Sequence, residues 1–481
     1  MRKIKYLIYT FILLGIVSSC SDAVLDEIDT NPNVVTEAPL KSLLPQVIIS
    51  YSNEVFGNQG SLKAGIMSEQ TTAVLGFNGY DNFEAASTTP WHSGYLVLND
   101  LKFIKAKAME EEAWTYAGIS DVIKAFTLTT MVDLFGDIPY TQSLQADVRN
   151  PEFDAHSGLY GEIHSILDEA IANLEKSNSA YEPADDDLVF GGDADMWVKT
   201  AYGLKARLYN KLSKLDATGS ADDALDALAN SFASKDENFR ISIYANSIAN
   251  SNPMVAMQQG QPQSAIGNGI FNAMTSFTPN GIIEEDPRSV IWFTTVGGAR
   301  IPAPNGVADP DFTEPRMDGA VYSKPEFLKY NAAPLPILTY NELLFIEAEA
   351  NFRLGNMTEA YDLYLDAVEL SLEQAGDFNN VTIDPADISA YMAYTDVAPG
   401  EGSLTMETII TQKYIAYFKY QWLEAFNEVR RYDIIPITNP LGRANRLLYP
   451  TTEITRNPNT PVEQVNFFSI FENSTKLIWA F

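Results

Sequence analysis

Cysteine occurs once in 481 residues and histidine three times. A single cysteine excludes an intramolecular disulfide and a multi-thiolate metal site. The histidines are His92, His156 and His164. The last two lie eight positions apart, about 12 Å along a helix, which is too far to share one metal ion. No His-Glu-x-x-His, Gly-x-Ser-x-Gly, phosphate-binding loop or Gly-x-Gly-x-x-Gly is present, so the usual marks of metalloprotease, serine hydrolase, nucleotidase and dinucleotide enzyme are missing. Basic residues are scarce as well: 32 Lys and Arg face 63 Asp and Glu, a net charge of −31. Such a body repels nucleic-acid phosphates and anionic headgroups. Long apolar runs are absent too, the nearest being Tyr6 to Val17, too short to span a bilayer.

That short run is informative for what surrounds it. Arg2, Lys3 and Lys5 form a basic flank, and Val17-Ser18-Ser19 places small residues directly before Cys20. The pattern is that of an export signal, and it resembles a bacterial lipobox in which the cysteine is acylated and becomes the first mature residue. Residues 1–19 are then signal peptide, and 20–35 are the lipidated Cys20 with an acidic tether. Two or more acyl chains hold a protein stably on a membrane where one does not.

The rest of the chain, 36–481, reads as one mostly α domain. Hydrophobic residues make up 46%, enough for a sizeable core, and strand-like alternation is scarce. Ile163, Ile166, Leu167, Ala170, Ile171 and Leu174 form a stripe at helical spacing. Similar stretches run over 114–135, 197–215, 338–354, 358–372 and 409–429. They fall into pairs: 114–135 with 156–176, and 193–214 with 221–233, while a helix over 404–431 supplies part of a further unit. Leu344, Ala348, Gly355, Ala360, Tyr364 and Ala367 have the spacing of a tetratricopeptide repeat, in which small residues let two antiparallel helices approach. Residues 31–95 and 234–336 are rich in Gly, Pro, Asn, Gln and Ser and read as long irregular segments over that scaffold.

Several phrases occur in register. They are Asn31-Pro32-Asn33, Leu134-Phe135-Gly136-Asp137-Ile138-Pro139-Tyr140, Phe190-Gly191-Gly192-Asp193 leading into Trp197, Glu347-Ala348-Glu349-Ala350, Gln412-Lys413-Tyr414, Glu424-Ala425-Phe426 through Arg430-Arg431, and Arg446-Leu447-Leu448-Tyr449-Pro450. In this order they resemble the SusD/RagB family of nutrient-binding outer-membrane lipoproteins. The resemblance implies a tetratricopeptide-like helical arc with irregular segments packed over it. It also implies a SusC-type TonB-dependent transporter as partner and an oligosaccharide or peptide as ligand, captured at the cell exterior and handed to the barrel. Most of the phrases are scaffold: Asp137 and Pro139 should end a helix and fix a turn, Asp193 should cap the next helix, and Trp197, Tyr414, Trp422 and Phe426 should be core. Arg430 and Arg431 should pair with helix carboxylates.

A sugar site needs rings to stack on apolar ring faces and amides, acids or guanidinium groups for the hydroxyl rim. Aromatics in polar, turn-rich segments are the candidates. The first cluster is Phe77, Asn78, Tyr80, Asp81 and Phe83, with Trp91 close behind, although Trp91 also begins an apolar helix pattern. The second is Trp292 and Phe293 ahead of Arg300. Such rings equally serve to staple long loops to a scaffold. No catalytic residues are assigned, because the many carboxylates give no pair with a distinguishing context. No cofactor is called for, and Asp185, Asp186 and Asp187 with Asp193 and Asp195 are the one cluster that offers oxygen ligands for a structural Ca²⁺, without the EF-hand order. A protein-interaction scaffold is the remaining alternative.

Overall fold

The computed structural model describes residues 38–57, 59–73, 83–145, 147–260, 264–304, 322–439, 442–461, 470–472 and 476–480. Cys20, the signal segment and the tether therefore lie outside the described residues.

Helices dominate, and they pair as the apolar spacing predicts. The first pair is α3 (Phe83–Glu110) and α4 (Trp114–Phe135), with α5 (His156–Leu174) packed on the other flank of α4. Helix α4 is buried nearly all round, because α3, α5 and α6 (Ala194–Lys211) all pack on it. Every member of the Ile163–Leu174 stripe is buried. Next come α6 with α7 (Gly219–Leu228), and then α11 (Tyr340–Leu354) with α12 (Met357–Glu373). In that last pair Ala348, Ala360, Tyr364 and Ala367 are fully buried. Gly355 supplies the left-handed turn at φ +81°, a conformation that costs a residue with a Cβ. The Tyr364 hydroxyl donates to the carbonyl of Val397 at 2.8 Å, so the ring both fills the gap and satisfies its polar tip.

Local signals place the helix ends. Asp193 caps α6 by accepting from the amides of Asp195 and Met196. Thr339 caps α11 through the amide of Glu342. Helix α4 stops at Gly136, φ +79°, while the Asp137 carboxylate accepts from the backbone N–H of His156 and so holds the start of α5. Asp137 thus begins a helix rather than ending one.

Two expectations are corrected. The stretch over 404–431 is two helices, α14 (Met406–Ala416) and α15 (Trp422–Arg431). The chain turns between them with Tyr420 at φ +71°, the ring held by core contacts with Phe327 at 4.7 Å. Residues 31–95 are also less irregular than their composition suggests. Leu40–Ser50 (α1), Gln59–Met67 (α2) and the first half of α3 are helical, with Pro45 and Pro90 inside helices. Between 234 and 336 only short elements occur, including α8 (Pro253–Gly260), α9 (Asn268–Thr275) and α10 (Pro287–Trp292). Among the described residues there are two two-stranded antiparallel sheets: β1 (Thr71–Ala73) with β3 (Ser264–Ile266) ties this region to the N-terminal part of the chain, and β2 (Phe239–Ile241) with β4 (Leu335–Leu338) pairs its two ends.

One hydrophobic cluster runs from Leu40 to Trp479. An ionic network is set within it. Arg207 pairs with Glu342 and Glu424, Lys211 with Asp133, and Arg431 with Glu349 and Glu428; Lys413 reaches the last two. The two adjacent arginines differ: Arg431 pairs with carboxylates, whereas Arg430 donates to the carbonyls of Asp133 and Asn445. Trp197, Tyr414, Trp422 and Phe426 are buried, as core residues should be. Among the described residues no helix is long and apolar enough to cross a membrane.

Candidate functional site

Phe77, Asn78, Tyr80 and Asp81 lie outside the described residues, and Phe83 is the first residue of α3. The remaining candidates are placed, and they are not exposed platforms. Trp91 is 2% exposed, edge-on to Phe135 at 5.0 Å and Tyr449 at 5.5 Å. Trp292 and Phe293 are equally buried. The Trp292 indole N–H donates to the carbonyl of Ala375 at 2.8 Å, and the Phe293 ring sits edge-on to Phe418 at 5.1 Å. The cavity beside Trp292 holds about 50 Å³, room for a water or two at roughly 30 Å³ each. Arg300 donates to the carbonyl of Ser289 at 2.9 Å and to Glu284 at 2.8 Å, which uses its guanidinium to hold its own loop. Trp292, Phe293 and Arg300 are thus core and anchor positions; Trp91 is packed in the core as well, but it also lines the smaller cleft described below. Their polar, glycine-rich neighbours made them look exposed, but the long segment folds back on the scaffold and stakes itself with the rings.

The base from which residues 74–82 leave is nonetheless well built. β1 pairs with β3, Gly267 bridges to Ala303, and Thr72 donates to the carbonyl of Pro304 at 3.4 Å. Three chain segments therefore meet at one edge. Glu69 locks the junction. Its backbone is left-handed at φ +57°, and its carboxylate accepts from the amides of Thr438 at 2.7 Å and Asn439 at 2.9 Å. A Cβ at Gly267 would lie 2.2 Å from the Glu69 carbonyl oxygen, so only glycine allows this approach. Burial raises the Glu69 pKa, against the hydrogen bonds from Thr438 and Asn439. Gln70 donates to the carbonyl of Tyr414, and the Tyr414 hydroxyl donates to that of Ser68, which ties the junction to α14. Nothing in the local sequence marks Glu69, since its role depends on partners some 200 and 370 positions away.

Further along α3, open clefts line the helix. The larger, about 540 Å³, lies between α3, α4 and the turn after α4. Leu98 and Leu101 form an apolar floor. Lys102, Lys105, Lys124, Thr141, Ser143 and Gln145 supply a polar rim. The smaller, about 390 Å³, is bounded by His92, Tyr95, Arg149, Glu453 and Arg456, and shares Ser143 and Leu144 with its neighbour. The common wall is held rigidly. The Tyr95 hydroxyl donates to the carbonyl of Pro139 at 2.7 Å, and Lys102 to that of Leu144 at 2.7 Å. Asp154 accepts from the amides of Tyr140 and Thr141 at 2.7 and 2.9 Å. Lys105 pairs with Asp121 and, at 2.8 Å, with Glu169. Burial pushes the Asp121 carboxyl up to about 6 in spite of Lys105. Lys124 lies 5.4 Å from the centre of the Tyr140 ring. The Leu134–Tyr140 phrase reads as scaffold in the sequence, yet its last residue walls a cleft.

Two of the three histidines are engaged or withdrawn from the clefts. His156 has both ring nitrogens engaged, Nδ1 with Asp137 and Nε2 with the amide of Ile478, so it is not placed to serve a nucleophile. His164 is half-buried with its ring stacked on Tyr209, and burial lowers its pKa to about 4. In the acidic cluster, Asp187 accepts from the amides of Val189 and Gly192 and from the Trp197 indole. Asp186 accepts from Ala184 and Tyr116, and Asp193 caps α6. Their oxygens are directed at protein donors. Among the described residues no group of three or more His, Cys, Asp or Glu converges to hold a metal ion.

Comparison with known proteins adds the following. Residues 32–451 match the model of a SusD-like family described as starch-binding and associating with the outer membrane. No curated protein matches the sequence. Among solved structures, a SusD/RagB family protein from Bacteroides thetaiotaomicron superposes with a TM-score of 0.80 at 23% identity, over 92% of this chain and 99% of that one. A SusD homolog from Bacteroides uniformis gives 0.73 at 22% identity, over 92% and 99%. A chitin-binding SusD homolog from Flavobacterium johnsoniae gives 0.71 at 18% identity, over 91% and 98%. At these identities the structures speak for the fold.

Proposed function

This chain belongs to the SusD-like family, and we propose from that premise that it captures oligosaccharide at the outer-membrane surface and passes it to a SusC-type TonB-dependent transporter. The observation that carries the reading is the family match over residues 32–451, whose description joins starch binding to the outer membrane. A chitin-binding relative of the same fold supports a glycan as ligand. The Val17-Ser18-Ser19-Cys20 sequence supports a lipid anchor, with Cys20 as the acylated residue.

The protein acts without a covalent step on its ligand. Phe77, Asn78, Tyr80 and Asp81 offer rings, an amide and a carboxylate for a sugar, and the Glu69 junction anchors the strand Thr71–Ala73 that precedes them in the chain. Rigid support under a recognition loop reduces the ordering cost of binding.

Solubilising outer membranes in mild detergent and purifying this protein through a tag tests the reading. Co-purification of a TonB-dependent barrel, together with retention of labelled oligosaccharide by intact cells, is expected. Purification alone, with cells that retain no glycan, would contradict it.

A further inference from the structure

The clefts along α3 have a charge balance opposite to that of the chain. Acids outnumber bases 63 to 32 in the sequence. The cleft linings nevertheless carry five bases, Lys102, Lys105, Lys124, Arg149 and Arg456, against three acids, Asp121, Glu162 and Glu453. Lys105 is taken up by Asp121 and, at 2.8 Å, by Glu169, which leaves Lys102, Lys124, Arg149 and Arg456 against Glu162 and Glu453. Lys102 donates to a neutral partner, the Leu144 carbonyl at 2.7 Å, and Lys124 faces the Tyr140 ring while also feeling the carboxylates of Asp121 and Glu169. An ammonium has three donors, so each retains both charge and bonding capacity toward the cleft. Arg149 is exposed at the mouth of the smaller cleft.

We propose that these clefts bind an anionic oligosaccharide, one acid group meeting Lys102 and Lys124 and a second meeting Arg149 and Arg456. The inference rests on the glycan reading above and names the class of glycan. Two further features favour a sugar over an acidic peptide. Leu98 and Leu101 give an apolar floor under a rim of Thr141, Ser143 and Gln145, which suits ring faces edged by hydroxyls. Among the described residues the walls are helices and a turn, so a peptide finds no strand edge to pair with. The two clefts are centred roughly ten residues apart along α3, about 15 Å at helical rise. Only an oligomer reaches both.

Calorimetric titration of the full chain carrying C20S tests this with five probes: oligogalacturonate (carboxylate only), κ-carrageenan oligosaccharide (sulfate only), neutral maltohexaose and chitohexaose, and a poly-glutamate peptide. An acidic glycan should bind more tightly than the neutral ones, and weaken at least about tenfold as salt rises from about 50 to about 500 mM. The first two probes show which acid group is read. K102Q/K124Q should cost at least about tenfold in affinity for that glycan, K102R/K124R far less. R149Q, on an exposed turn, should weaken it without touching the fold. Equal or tighter binding of neutral glycans, equal binding of poly-glutamate, or an affinity indifferent to all three variants would overturn the proposal. Neutral binding alone leaves the glycan reading intact, whereas silence with every glycan overturns that reading too.

Discussion

Replacing Glu349 by Gln changes one fully buried side chain and removes the charge that three cations share. One carboxylate oxygen accepts from Arg431, from Arg353 at 2.7 Å and from the Tyr432 hydroxyl at 3.2 Å. The other accepts from Arg431 at 2.7 Å, Asn210 at 2.9 Å and Lys413 at 3.4 Å. Arg353, Lys413 and Arg431 have almost no exposed side chain. Burial alone would raise the Glu349 pKa, but the ion pairs with Arg431, Lys413 and Arg353 overcome it and hold the carboxyl well below its usual range. In E349Q, Arg431 and Lys413 are left to share Glu428, and the new amide turns an N–H₂ toward guanidinium donors. Breaking a buried ion pair from one side typically costs about 3–5 kcal/mol, a large part of the ~5–15 kcal/mol that keeps a domain folded. The assay is equilibrium urea unfolding with linear extrapolation. The loss should be insensitive to salt, because a buried network is little screened. A loss below about 1 kcal/mol, or one abolished by salt, would refute the reasoning.

Other expectations follow from the same geometry. His164 has a folded pKa lowered to about 4 from 6.5, mainly by burial. At His164 the native state therefore holds fewer protons than the unfolded chain between those values, so its own contribution to stability, present above pH 6.5, is lost as pH falls toward 4, about 3 kcal/mol, against an opposing slope from Asp121. His164→Phe, which keeps the stack on Tyr209, should remove that dependence in unfolding curves measured across the range; persistence of the slope would place its source elsewhere. Trp91→Ala should cost about 3–5 kcal/mol as a core truncation, seen as a lower urea midpoint, and an unchanged midpoint would return the ring to the surface. Deleting residues 77–83 should weaken oligosaccharide binding by calorimetry while circular dichroism stays native; unchanged affinity would remove that loop from the site. Cys20→Ala should shift the protein from the membrane pellet to the soluble fraction, and retention in the pellet would contradict the lipid anchor.

The helical pairs were readable because burial repeats at helical spacing: the Ile163–Leu174 stripe and the small residues at 348, 360 and 367 are buried as their spacing requires. Helix α3 was harder to see. Pro90 lies within it, and Gly94, where a Cβ would strike Met131, looks like a breaker although it permits close packing. The break between α14 and α15 leaves no mark, since Tyr417, Phe418 and Tyr420 are all core rings that continue an apolar pattern. For Trp292 and Phe293 the helix is only six residues long, too short for periodicity to say which way a ring faces. The clefts escape a linear reading for another reason. Lys102, Lys124, Tyr140 and Arg149 come from two helices and a turn, and each alone resembles an ordinary solvated side chain. Their common sign becomes meaningful only once the fold sets them side by side in a strongly acidic protein.

The claim at the centre of this account is capture of a glycan without turnover. Titration calorimetry of the C20S protein against defined oligosaccharides, followed by analysis of the recovered sugar, tests it most directly. Saturable heat with one class of glycan and recovery of the oligomer at its original length is the predicted result. Shortened products would contradict the account by revealing a hydrolase, and saturable heat with peptides alone would contradict it by moving the ligand to another class.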